Sequence, residues 1–383
     1  MENFIYHIPT KIYFGQGKVG SLGEETIQYG HRALLVYGCG SIKKSGCYQE
    51  ILLQCEKYQI SLWELSGVKS NPDVRFVETG AQICKEHQID CVLAAGGGSV
   101  LDCGKMIAAA AKTEDDPWEL VIHPEKIKET LPVIAISTAA ASGSEMDYTA
   151  VISNEEKGQK IACGCKLLLP KAAFLDPTYT MTLSQENTAE GIADILSHLM
   201  EIYFSDSRAL LQERLNEAVF CTCIDCGRTL RHNPQDYNAR ANLMWAACWA
   251  MNGFLRWGKP GGWTCHIIAH EIGAAYPELP HGKILAVLLP KWLRKVVEKG
   301  KISQLEEWAV HVWGISQGSP RDLAESAIAA LEDYFRELGL PEQLRIAITA
   351  QELQDLSSRI CPQLQNCYIE LTAEDLTEIL SAI

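Results

Sequence analysis

The run Cys91-Val92-Leu93-Ala94-Ala95 ends directly on Gly96-Gly97-Gly98 and then Ser99. Five consecutive apolar residues leave no face for water, so this strand belongs at the centre of a sheet covered on both sides, the parallel α/β arrangement. Parallel neighbours need crossover connections, normally helices, and the flanking sequence supplies them. Arg32-Ala33-Leu34-Leu35-Val36-Tyr37, Ile60 to Leu65 and Pro132-Val133-Ile134-Ala135-Ile136-Ser137 are further short strands. Helices are expected from about Cys47 to Tyr58, after the turn Ser70-Asn71-Pro72-Asp73 to about His87, and through the Ala-rich stretch to Lys112. Tyr6 to Gly15 reads as an extended lead-in, Val151 to Ala162 as a hairpin, and Ala173-Phe174-Leu175 as the last strand, closing on Asp176-Pro177.

From about Ser184 the pattern becomes helix after helix, with hydroxyl caps at Thr182 and Ser184 and amphipathic spacing in later segments such as Leu323 to Leu338 and Ala373 to Ile383. We therefore expect an α/β dinucleotide-binding domain over residues 1–184 and an all-α domain over residues 185–383. The 383 residues, 47% of them hydrophobic, are enough for two real cores. No repeat, low-complexity tract or long linker is visible.

A net charge of -14 argues against a nucleic-acid or anionic-membrane surface, since both need clustered Lys and Arg. The start lacks a basic segment followed by an apolar core, and no stretch is apolar enough to span a bilayer, so a cytoplasmic location is expected. In that compartment the 15 Cys, mostly set in apolar runs, read as reduced core residues rather than a disulfide framework. Cys223 and Cys226 form a C-x-x-C, but without a second such pair they read as helical thiols.

Three stretches carry chemistry. In the helical half Asp194 and His198 lie four apart, as do His266 and His270, and His281 follows in Leu279-Pro280-His281-Gly282. Residues four apart share a helix face. A carboxylate buried among Ile and Leu is costly unless paired, and a divalent metal is the partner that also suits several neutral imidazoles; the Asp with three of these four His fits Zn²⁺ or Fe²⁺. This is not a zincin, because His270-Glu271 lacks the second His of H-E-x-x-H. The second stretch is Gly96-Gly97-Gly98-Ser99, where backbone N–H groups at a helix N-terminus can cradle a pyrophosphate, although it matches neither G-x-G-x-x-G nor a P-loop. The third is Gly38-Cys39-Gly40-Ser41-Ile42-Lys43-Lys44, which has no acid to accept from an adenosine ribose. Ser41 and Lys43 can instead hold a 2′-phosphate, which favours NADP(H) over NAD(H).

Taken together and in order, Gly96-Gly97-Gly98-Ser99 with Asp102, Thr138 to Glu145 ending Ser142-Gly143-Ser144-Glu145-Met146, Asp176-Pro177, Asp194-x-x-x-His198, His266-x-x-x-His270 and Pro280-His281-Gly282 resemble the iron-containing (group III) alcohol dehydrogenase family. Val36 to Lys43 is similar to its NADPH-dependent butanol dehydrogenase and aldehyde reductase branch. The resemblance implies a dehydroquinate synthase-like fold, a homodimer, and a short aldehyde or alcohol as substrate. It makes Asp194, His198, His266 and His281 the metal ligands and His270 a non-ligand beside the substrate. Gly97, Gly98 and Ser99 would bind pyrophosphate, Asp102, Thr138 and Ser142 would position the nicotinamide half, and Lys160 would contact the ribose. Gly38, Gly40, Ser41, Lys43 and Asn71 complete the expected cofactor-binding set. The chain departs from the usual pattern at Cys39, Ser142 and Asp147, and the interval from His270 to His281 is one residue longer, which bears on where His281 points. The related glycerol dehydrogenases and dehydroquinate synthase-type cyclases use NAD and a metal. They are disfavoured by the missing acid near Ser41 and by the ligand set. A non-catalytic nucleotide- or metal-binding protein is the remaining alternative. Trp245, Trp249, Phe254 and Trp257 are either pocket-lining or helix-packing aromatics.

Overall fold

The computed structural model describes residues 1–259 and 261–383. Six strands form one sheet: β1 (Lys11–Phe14), β2 (Arg32–Gly38), β3 (Ser61–Val68), β4 (Cys91–Gly96), β5 (Val133–Ser137) and a later strand, Ala172–Leu175, which is β8. Between them β6 (Thr149–Asn154) and β7 (Gln159–Gly164) form a separate antiparallel pair, the expected hairpin. The large sheet runs in the order β1-β8-β5-β4-β2-β3, and every pairing in it is parallel. All six residues of β4 are buried. Leu34, Val36, Val92 and Ala94 pack on one face of the sheet, and Leu35, Leu93 and Ile136 on the other, each against its own layer of helices. That two-sided cover is what a solvent-free strand demands. The extended lead-in turns out to be an edge strand, with Lys11 to Phe14 in register with Ala172 to Leu175.

The chain forms two compact units that are not two consecutive blocks. One holds residues 7–184 and 235–252; the other holds 1–6, 185–234 and 253–383. The break after Ser184 lies where the strand pattern stops. The helix Tyr237–Met251, which its sequence groups with the helical half, instead belongs to the α/β unit, where the Cys248 thiol donates to Glu145 at 3.0 Å. Its buried residues, Leu243, Met244, Ala246, Ala247, Cys248 and Ala250 among them, form a wide apolar face opposite an exposed stripe of Asn238, Asn242 and Trp245. Trp245 and Trp249 contact each other edge-on, and Trp245 meets Phe14 of the same unit. Phe254 and Trp257, in the other unit, pack on Tyr6 and Phe4.

The second unit is helical throughout. Its frame is the pair Gln185–Tyr203 and His281–Glu298, with Thr264–Ala275 packed on both. Residues Gly191 to Tyr203 are buried without a break, Asp194, His198 and Glu201 included. Among the described residues no helix is long and apolar enough to cross a membrane.

Candidate functional site

Asp194 and His198 project from one face of the helix Gln185–Tyr203, and His198 Nε2 lies 3.6 Å from Asp194 Oδ1. The helix Thr264–Ala275 brings His266 to the same oxygen, with Nε2 at 3.5 Å. His281 is the first residue of the helix His281–Glu298, and its Nε2 is 3.8 Å from that oxygen. Three elements therefore converge on one carboxylate atom. The ligand atoms offered by Asp194, His266 and His281 all lie within 4.8 Å of one another, and His198 stacks on His266 with ring centroids 4.6 Å apart. Trp263 packs edge-on to both of those rings.

The long interval before His281 does not turn it away. Gly282 is why: a Cβ there would sit 2.3 Å from the backbone oxygen of Glu190, one turn before Asp194. Only a residue without a side chain lets the two backbones approach that closely. His270 flanks the cluster, its ring centroid 5.4 Å from that of His281 and 6.3 Å from that of His266.

Burial by itself would raise the Asp194 carboxyl, but His198, His281 and His266 outweigh it and hold it well below the usual carboxylate range. Burial pushes His198 down to about 4 against the opposing pull of Asp194. Burial also acts to lower His266, yet the Glu201 and Asp194 carboxylates win and raise it to about 9. Asp194 Oδ1 and His266 Nε2, which face each other, are buried without a hydrogen-bond partner among the described residues. Buried polar atoms are nearly always satisfied, and oxygen and imidazole nitrogen aimed at a common point suit a divalent ion.

Glu201 is a site residue that the sequence reading missed. It is 1% exposed, and its carboxylate accepts from the Cys265 backbone N–H at 2.5 Å and pairs with His266 Nδ1. The signal was present: Glu201 is the one acid in His198-Leu199-Met200-Glu201-Ile202-Tyr203 and lies seven residues after Asp194, on the same helix face.

In the α/β unit the triple glycine ends β4 and opens the helix Gly98–Ala110, with Gly97 as its N-cap. The first N–H groups of a helix have no acceptor within it, so those of Gly98 and Ser99 face outward from the strand end. A Cβ on Gly98 would lie 2.2 Å from Ser142 Oγ, so the turn and the loop Thr138–Glu145 share a space that only glycine leaves open. The Thr138 N–H donates to Gly96 O at 3.0 Å. Lys160 Nζ donates to Asn71 Oδ1 at 2.8 Å, joining two of the expected cofactor residues, and Asn71 has a positive φ of 41°. Gly40, at φ 109°, caps the short helix Ser41–Lys44 that follows Gly38 and β2. Lys43 Nζ rests over the rings of Tyr48 and Tyr37, 4.6 and 5.3 Å from their centroids. Both tyrosine hydroxyls donate to Glu64, at 2.9 and 2.7 Å.

Asp102 is braced on the protein. Its Oδ1 accepts from Ser144 Oγ at 2.5 Å and its Oδ2 from Val151 N–H at 3.0 Å. One turn on, the fully buried Lys105 donates to Asp147 Oδ1 at 2.6 Å, Asp147 O at 3.1 Å and Thr149 O at 2.8 Å. Burial and Asp147 push the Asp102 carboxyl up to about 6, against Lys105, which pulls it down. This network tethers the loop Thr138–Glu145 and strand β6 to the helix that begins at the glycine turn.

The chain thus combines a parallel α/β unit that has a glycine-rich strand-to-helix turn with a helical unit that has a buried Asp-His cluster. Residues 9–177 match the model of the iron-containing alcohol dehydrogenases and residues 188–383 that of the family's C-terminal domain. The chain belongs to the iron-containing alcohol dehydrogenase family. It is 44% identical over 362 residues to NADH-dependent butanol dehydrogenase B of Clostridium acetobutylicum, covering 94% of this chain and 93% of that one. It is 36% identical to the NADPH-dependent aldehyde reductase YqhD of Escherichia coli, over 90% of this chain and 89% of that one. Among solved structures, that of NADH-dependent butanol dehydrogenase A from Thermotoga maritima superposes with a TM-score of 0.94 at 34% identity, covering 100% and 98% of the two chains. The expected fold class and family thus stand, and the chain is an alcohol dehydrogenase-type oxidoreductase.

Proposed function

We propose that this protein is a metal-dependent, NADP(H)-linked alcohol dehydrogenase and aldehyde reductase, working as a cytoplasmic homodimer on a short-chain aldehyde or a primary alcohol such as butanol. The observation that carries the proposal is the meeting of His198, His266 and His281 on Asp194 Oδ1, with that oxygen and His266 Nε2 buried and unpartnered among the described residues. A carboxylate and several imidazoles gathered on one buried point suit a divalent cation. Asp194, His198, His266 and His281 would hold one divalent ion, Fe²⁺ or Zn²⁺. When bound, the ion would supply Lewis-acid polarisation of the substrate oxygen and the dinucleotide would supply or accept hydride.

The rest of the chemistry falls to the chain. Gly97, Gly98 and Ser99 bind the pyrophosphate through backbone N–H groups; Thr138 and Ser142, on the loop that Asp102 braces, position the nicotinamide half; Lys160, aligned by Asn71, holds the ribose. An imidazole nitrogen of His270 moves the proton between the substrate oxygen and solvent. At the adenosine end, Gly38 and Gly40 shape the loop while Ser41 and Lys43 take the 2′-phosphate. Two features support that cofactor choice: the Lys43 ammonium is seated on aromatic faces, and the nearby Glu64 is engaged by two tyrosine hydroxyls.

The test is NADPH and NADH oxidation with butanal after loading with Zn²⁺ or Fe²⁺. Turnover that needs the metal and is faster with NADPH is expected. Faster turnover with NADH would overturn the cofactor choice, and no turnover by metal-loaded protein with either would overturn the substrate assignment.

A further inference from the structure

Two carboxylates are buried on one face of the helix Gln185–Tyr203, Asp194 at 8% exposure and Glu201 at 1%. Among the described residues neither forms an ion pair with Lys or Arg; their only charged or chargeable partners are imidazoles. His266 links the two, with Nδ1 on Glu201 and Nε2 facing Asp194. Glu201 also holds the start of the helix that carries His266, through Cys265 N–H, and Ser197 Oγ lies 3.5 Å from both Glu201 Oε2 and His266 Nδ1.

We infer that Glu201 is a positioning residue of the metal site: its carboxylate keeps a proton on His266 Nδ1 and holds Nε2 turned to Asp194. The inference rests on the metal reading above. A carboxylate oxygen accepts from a ring N–H, so Glu201 favours a proton on Nδ1, and it is Nε2, facing Asp194, that a metal ion would reach by displacing any proton there. Partners of this kind fix the tautomer and orientation of a ligating imidazole.

Glu201→Gln separates this role from simple packing. The two donors meet different oxygens of Glu201, Cys265 N–H on Oε1 and His266 Nδ1 on Oε2; the amide keeps the volume but replaces one of those oxygens with an NH2 donor, so in this geometry it serves Cys265 N–H or His266 Nδ1–H and not both. Zn²⁺ affinity of the metal-free protein is measured by competition with a chromophoric chelator, alongside thermal unfolding and ¹⁵N–¹H spectra of the histidine rings in the Zn²⁺-loaded protein. Affinity is expected to fall about 10–100-fold, with loss of the protected His266 Nδ1–H resonance. Affinity within about twofold of wild type with that resonance intact, whatever happens to thermal stability, overturns the inference. If the glutamine variant does not fold, Glu201→Asp decides: one methylene shorter, it keeps the charge but cannot reach both donors, and wild-type affinity in it is equally fatal. A wild-type protein that takes up no divalent metal overturns the metal reading and this inference together, whereas uptake that Glu201→Gln leaves unchanged overturns this inference alone.

Discussion

Gly282→Ala should damage the metal site from outside its ligand set. The added Cβ would lie 2.3, 2.6 and 2.7 Å from the backbone O, Cα and C of Glu190. Carbon atoms pack at about 3.5–4.0 Å, so one of the two backbones must withdraw by about 1 Å. The helix Gln185–Tyr203 is buried from Gly191 onward and has nowhere to go, so the start of His281–Glu298 moves and carries His281 with it. Metal-ligand distances tolerate about 0.2 Å; a displacement several times larger removes His281 from the coordination sphere. Overpacking of this kind costs about 1–3 kcal/mol, and loss of ligand alignment weakens metal binding by at least about tenfold. Scanning calorimetry of the metal-free protein and Zn²⁺ competition with a chelator measure the two effects separately. Gly20→Ala is the control, because a Cβ there meets nothing within 4 Å. A Gly282→Ala protein that melts lower yet binds Zn²⁺ as tightly as wild type would refute the reasoning, since the close approach at Glu190 would then not be what places His281.

Three further outcomes are expected. His198→Ala, or His266→Ala, should abolish metal retention on gel filtration together with turnover; activity persisting in a metal-free variant would sink the ligand assignment. Lys43→Asp should raise the dissociation constant for NADPH far more than for NADH, read by quenching of tryptophan fluorescence, and equal effects would reduce Lys43 to a surface lysine. Asp102, raised from 3.8 to about 6, is protonated in the folded chain and ionised in the unfolded one between about pH 4 and 6. Stability from this group is therefore greatest near pH 4 and falls as pH rises through about 6, by up to about 3 kcal/mol at about 1.4 kcal/mol per pH unit. Asp102→Asn should flatten that part of the Tm-against-pH curve, and an unchanged slope would show that Asp102 is not the titrating group.

Much of this protein was legible along the chain because local pattern carried it. Cys91 to Ala95 has no polar position and could only be an inner strand, and the i, i+4 pairs at Asp194 and His266 put their side chains on helix faces before any packing was known. The glycine turn announced itself because a strand running into a helix through three glycines has few other uses. What stayed hidden depended on partners distant in sequence. Glu201 looks like an ordinary helix residue until Cys265 and His266 are folded against it, 64 and 65 positions away. Tyr237–Met251 reads as one more helix of the second half until contacts such as Cys248 to Glu145, 103 positions away, place it with the first. Asp102, likewise, became a brace only when Ser144 and Val151 were brought to its two oxygens. Sequence by itself determined the periodicities, and hence the elements and the chemistry each could present. Tertiary structure alone decided which buried charge met which donor, because burial makes an unpaired polar group costly and the pairing that relieves it is set by where the chain returns.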